Sequence, residues 1–152
     1  MKKKLFLAVL IIVLLSVFTG NLFAQEDKGH IKPTFGIGYG IPVFLNVFLD
    51  VDFVSPKGFT LGIQADMLVA GGPPLYYFPI GLGYTYDNGN FAVGGKLMLW
   101  GFAAIDGGGL NIDITTTWWI KETFGLTAIV DFLIIFGGGV IPLIKIGTSL
   151  KI

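Results

Sequence analysis

The stretch Val43–Phe53, VFLNVFLDVDF, alternates strictly. Val43, Leu45, Val47, Leu49, Val51 and Phe53 are all apolar, and Asn46, Asp50 and Asp52 fall between them. In an extended strand, successive side chains point to opposite faces. The segment therefore reads as a strand with one wholly apolar face, and the carboxylates share the other face with Phe44 and Phe48. The pattern recurs. Phe59, Leu61, Ile63, Ala65, Met67 and Val69 oppose Thr60, Gly62, Gln64 and Asp66. Leu110, Ile112, Ile114, Trp118 and Ile120 oppose Asn111, Asp113, Thr115 and Thr117, and Phe124, Leu126, Val130, Phe132 and Ile134 oppose Asp131. Every charge inside a strand (Asp50, Asp52, Asp66, Lys96, Asp113, Asp131 and Lys145) lies on the less apolar face.

Turn signals divide the chain at regular intervals: Gly40-Ile41-Pro42, Ser55-Pro56-Lys57-Gly58, Ala70-Gly71-Gly72-Pro73-Pro74, Asp87-Asn88-Gly89-Asn90, Asp106-Gly107-Gly108-Gly109, Lys121-Glu122 and Gly137-Gly138-Gly139. They imply eight strands, near 33–40, 43–54, 58–69, 75–87, 90–104, 109–120, 123–136 and 140–151. Most of these exceed the roughly 5–6 residues usual in soluble sheets and suit the roughly 9–11 that a tilted strand needs to cross a bilayer. Asn88-Gly89 predicts a two-residue hairpin loop. Such a loop would pair Asp87 with Asn90 and Tyr86 with Phe91, and set Lys96 opposite Gly81.

The N-terminus has a different character. Lys2, Lys3 and Lys4 precede an apolar run from Leu5 to Phe18, interrupted only by Ser16, with a candidate cleavage point after Ala24. This is the layout of a secretory signal peptide, and a run of 14 residues is short for a helical span of about 20. The expected organisation is a signal peptide at 1–24, an N-terminal segment at 25–32 and a barrel domain at 33–152. Charged residues make up 13% of the chain, about half the usual share. There is no Arg and no Cys, which excludes disulfide frameworks and thiolate metal sites. Beyond residue 24, 7 lysines stand against 10 acidic residues, a net −3. That balance points to no charged partner and away from nucleic acid.

Alternation alone does not say which face is inside. The charged face also carries Phe44, Phe48, Met98, Trp100, Phe102, Leu133 and Ile135, so it is no ordinary solvent face. It bears Gly36, Gly38, Gly62, Gly81, Gly83, Gly94, Gly125 and Gly147 as well, and the interior of an eight-stranded barrel is just wide enough for side chains to fill. The apolar face is too bulky for that space. Its aromatics Phe53, Phe59, Tyr86, Phe91, Trp118 and Phe124 gather at one end, and Tyr39, Tyr76 and Phe136 mark the other. Paired aromatic girdles around an apolar band, with polar residues inside, belong to membrane barrels. The expected fold is all-β: an eight-stranded antiparallel up-and-down transmembrane β-barrel.

In this layout the chain resembles the small eight-stranded outer-membrane barrels of the OmpA/OmpX type. The most local match is Lys145-Ile146-Gly147-Thr148-Ser149-Leu150-Lys151-Ile152, which is similar to their terminal assembly signal, although the family usually ends in Phe. The resemblance implies an outer-membrane location, outer-membrane lipid as the surroundings, the assembly machinery as a partner of the C-terminal strand, and a monomer. It also implies that the first, third, fifth and seventh turns face outward. Here they are short, Gly-rich and almost uncharged, so the usual seat of loop-borne binding is nearly missing.

The interior residues Asn46, Asp50, Asp52, Gln64, Asp66, Lys96, Asn111, Asp113, Asp131 and Lys145 are the candidate site, read first as a structural polar network. Buried charges are tolerated when paired and hydrogen-bonded. Asp50 and Asp52, two apart on one face, could also serve as an acid–base pair, or bind a cation together with Asp66 and Asp113. The only histidine, His30, precedes the first expected strand, and Ser55 and Ser149 are the serines beyond residue 24, so no hydrolytic triad is expected. No cofactor, no metal and no enzymatic activity are expected. A structural or interaction role in the outer membrane comes first, with a narrow channel or transporter, or a secreted barrel binding an apolar ligand, as alternatives.

Overall fold

The alternating segments form strands because their β-branched and aromatic side chains favour the pleated backbone and their glycines disfavour helix. A computed structural model describes residues 29–41, 44–101 and 108–152. The signal peptide assigned to 1–24, Pro42, Val43 and the Phe102–Gly107 turn region lie outside these residues. The described strands are β1 (His30–Gly40), β2 (Phe44–Val54), β3 (Phe59–Val69), β4 (Leu75–Tyr77), β5 (Ile80–Asp87), β6 (Phe91–Gly101), β7 (Gly108–Lys121), β8 (Phe124–Ile135) and β9 (Val140–Leu150). β4 and β5 are two pieces of one stave. Both pair with β3 in a single register, Leu68 opposite Leu75 and Ile63 opposite Ile80. The stave is interrupted at Phe78-Pro79, where proline has no N–H to give to a ladder. Its eight staves match the expected eight.

Every pairing is antiparallel between chain neighbours, and β1 closes the sheet against β9. Closure removes edges and pairs the backbone within the wall. Glycine makes the close approach possible where β1 meets β9. Gly36 lies opposite Gly147, and a Cβ on Gly36 would fall 2.0 Å from the Ile146 carbonyl oxygen. Such glycine kinks let a small barrel curve.

Two local expectations need correction. The first strand begins at His30, not near 33. Pro33 does not end it, because Ile31 and Lys32 still pair with Phe53 and Asp52 of β2. The β5–β6 hairpin pairs Asp87 with Ala92 and Tyr86 with Val93, so Lys96 faces Gly83 rather than Gly81. A two-residue type I′ loop needs positive φ at both central residues, and here only Gly89 has it (φ 86°). Instead, Asn88 Oδ1 accepts from the amides of Asn90 (3.1 Å) and Phe91 (2.9 Å), and Asp87 Oδ1 accepts from Gly89 N (2.8 Å). The side-chain turn moves the partner of Asp87 from the expected Asn90 to Ala92, two residues along β6. A shift of two in register leaves every side chain on its predicted face.

Burial is inverted relative to a soluble protein. Among the described residues, 30 large apolar side chains are exposed, and the buried set holds 19 polar or charged residues against 11 hydrophobic ones. Adjacent tryptophans show the switch: Trp118 is 64% exposed and Trp119 5%. Phe59, Tyr86, Phe91 and Trp118 ring the end of the barrel that holds His30 and Ile152, and Tyr39, Tyr76 and Phe136 are exposed at the other.

Candidate functional site

All ten expected interior residues lie in the lumen, each no more than 4% exposed. The even positions of β2 and β3 and the odd positions of β7, β8 and β9 point inward because the pleat alternates. The charges form two clusters, each built around one lysine.

In the cluster nearer His30 and Ile152, Lys96 Nζ on β6 reaches across the lumen to β2. It donates to Asp50 Oδ2 at 2.5 Å and Asp52 Oδ1 at 2.8 Å. Lys32 Nζ lies 3.2 Å from Asp52 Oδ2. Asp113, the cross-strand partner of Lys96, has its Oδ2 3.8 Å from the same ammonium. In the second cluster, Lys145 Nζ on β9 donates to Asp66 Oδ1 at 2.9 Å and lies 2.7 Å from Asp131 Oδ2. Asn46 Nδ2 adds a bond to Asp66 Oδ1 (2.8 Å), and Asn111 Nδ2 one to Asp131 Oδ2 (3.2 Å). The Phe48 ring lies 5.3 Å from Lys145 Nζ, in cation–π range. Gln64 is in the lumen, but its amide bonds to no member of either cluster.

The lumen is layered along its axis. Leu68, Tyr77, Trp100, Leu133 and Leu143 pack together toward the loop end, with Phe44, Leu75, Ile135 and Ile141 against them. Tyr77 and Trp100 meet edge to face, 5.6 Å between centroids. Toward the end that holds His30 and Ile152 a chain of hydroxyls runs from Thr34 to Ser149 (2.7 Å), on to Thr127, and from Thr127 to Thr117 (2.9 Å). At the rim, Lys151 Nζ donates to Asp87 Oδ2 (2.8 Å), and His30 Nε2 lies 3.8 Å from the same oxygen.

The carboxylates two apart on β2 are thus explained. Asp50 and Asp52 straddle one ammonium, and each has a cationic partner. His30, Ser55 and Asp87 line one rim cavity of about 420 Å³. Ser55 Oγ makes no hydrogen bond there. Lys32 is the site residue that sequence reasoning missed. It continues the parity of Thr34 and Gly36, and reading Pro33 as a strand start hid it. The hydroxyl chain was missed too, because threonine and serine on an inward face carry no charge to draw notice.

No protein-family model matches the chain, and no curated protein sequence does. Solved structures do. A de novo designed transmembrane β-barrel is 11% identical with a TM-score of 0.70, covering 84% of this chain and 99% of that one. The chain has the fold of a small transmembrane β-barrel. The N-terminal β-barrel domain of OprF from Pseudomonas aeruginosa aligns with a TM-score of 0.63 at 11% identity, over 82% of this chain and all of that one. Ail, the attachment invasion locus protein of Yersinia pestis, gives 0.63 at 10% identity, over 83% of this chain and all of that one. At such identities the likeness is one of fold, and it matches the eight-stranded outer-membrane architecture expected from the alternation.

Proposed function

We propose that this chain is an integral outer-membrane barrel with a structural or interaction role and no catalysis, its lumen filled by a charge network that locks the wall. The inverted burial carries this reading: apolar side chains cover the outside and ion pairs fill the inside. Water would penalise such an outer face, and lipid would not. In this reading residues 1–24 direct export, both termini face the periplasm, and the C-terminal strand is the segment presented to the assembly machinery. The apolar layer around Tyr77 and Trp100 favours a closed lumen over a channel.

Carbonate washing of membranes, followed by gel mobility with and without boiling, tests the reading. A protein that stays in the pellet and shifts on heating supports it. Release as a soluble monomer would overturn it in favour of a secreted barrel. Steady single-channel conductance in planar bilayers would favour the channel.

A further inference from the structure

The rim cavity of about 420 Å³ lies outside the two lysine clusters, and its size falls within the roughly 300–1,000 Å³ of small-molecule sites. It sits at the mouth of the lumen. His30 and Asp87 reach it from inward positions of β1 and β5, and Lys151 follows β9 with the inward parity of Lys145 and Ser149. Ser55, Pro56 and Gly58 line another side. That side is a fixed turn. Gly58 N donates to Ser55 O (2.9 Å), Ser55 N to Phe59 O (2.8 Å) and Thr85 N to Gly58 O (2.7 Å). Gly58 has φ 87°, and a Cβ there would fall 2.5 Å from the Thr85 carbonyl oxygen. The turn is thus pinned to β5 before any ligand arrives.

Two buried polar atoms in this cavity point to a ligand. Ser55 is 4% exposed, and its Oγ has no hydrogen-bond partner. His30 Nε2 has none either, because Asp87 Oδ2, at 3.8 Å, is beyond hydrogen-bond reach. Polar groups buried without partners are unfavourable. Lys151 Nζ has three donors and gives one of them to Asp87 Oδ2 (2.8 Å). Lys151 and Asp87 cancel each other's charge, so the cavity favours an occupant with no net charge. An apolar occupant would leave Ser55 Oγ and His30 Nε2 unpaired. Val54 and Pro56 give the cavity an apolar side as well.

We propose that the mouth of the lumen binds a neutral polyhydroxylated ring, a mono- or disaccharide, through Ser55, His30, Lys151 and Asp87. A ring hydroxyl both donates and accepts, which matches the serine hydroxyl and the two nitrogens of a neutral imidazole. Neighbouring hydroxyls suit the ion pair, one accepting from Lys151 and the next donating to Asp87. The C–H face of the ring packs on Val54 and Pro56. The inference concerns the cavity alone and is independent of which compartment the mouth faces.

His30 is the only histidine of the chain, so its imidazole gives a single set of NMR signals inside the proposed site. The full-length protein, folded in a detergent with no sugar headgroup, is titrated at fixed pH with glucose and with maltose. Sodium acetate and methylammonium chloride serve as charged probes at the same concentrations. The imidazole signals should shift saturably with one saccharide or both, and should not saturate with either charged probe. Ser55→Ala removes a hydroxyl that bonds to no other residue, so the fold should persist. Its half-saturation should rise about 2–10-fold, the net worth of one hydrogen bond. No saturable shift with either saccharide would overturn the proposal. So would an equal, saturable shift with acetate or methylammonium, or an unchanged half-saturation in Ser55→Ala.

Discussion

The two lysine clusters face the same problem, aspartates buried in the lumen, and solve it differently. Around Lys96, charge answers charge: two ammonium groups, Lys96 and Lys32, share Asp50 and Asp52. Around Lys145 a single ammonium serves Asp66 and Asp131, and the amides of Asn46 and Asn111 supply the remaining donors. The first arrangement has redundancy and the second has none. Removing one partner of a buried pair costs more than the pair itself contributes, because it strands the other charge. The clusters should therefore respond unequally to the same substitution.

Lys145→Met should produce the largest effect. It strands both Asp66 and Asp131, with a loss of about 3–5 kcal/mol, read as a lowered urea midpoint or as loss of the heat-modifiable form on assembly. Lys96→Met strands Asp50 and removes the more distant ammonium from Asp113 but leaves Asp52 with Lys32, so its loss should lie at the lower end of that range, about 3 kcal/mol, by the same urea titration. Lys32→Met should cost less, about 1.5–3 kcal/mol, the worth of a hydrogen bond to a charged group, because Asp52 keeps Lys96. The order Lys145, Lys96, Lys32 is what the comparison requires, and equal losses for the two central lysines would break it. Thr117→Val, at the end of the hydroxyl chain, should cost about 1 kcal/mol in the same assay and leave both clusters intact.

Much of this could be seen in the alternation. The charge-bearing face of each strand was legible because period two assigns faces without knowledge of neighbours, and all ten lumenal residues followed. The pairings were not legible. Lys96 on β6 meets Asp50 and Asp52 on β2 across the lumen, and Lys145 on β9 reaches Asp66 on β3. Which residues share a height depends on the stagger of the closed sheet, and alternation within single strands does not encode it. The hairpin at Asn88-Gly89 failed for a local reason. The Asn88 side chain took over the turn's amides, and register moved by two while the face stayed the same. Lys32 was lost to Pro33, a residue that ends a ladder more often than it sits within one.

The central claim is that this barrel wears its apolar face outward and its charges inward, and Trp118 and Trp119 test it with one probe on neighbouring residues. Two single-tryptophan forms, one keeping Trp118 and the other Trp119, with the remaining tryptophans changed to Phe, are reconstituted in lipid brominated along its acyl chains. Strong quenching of Trp118 and little quenching of Trp119 is the predicted result. Equal quenching of both, or quenching of Trp119 alone, would contradict the inside-out barrel.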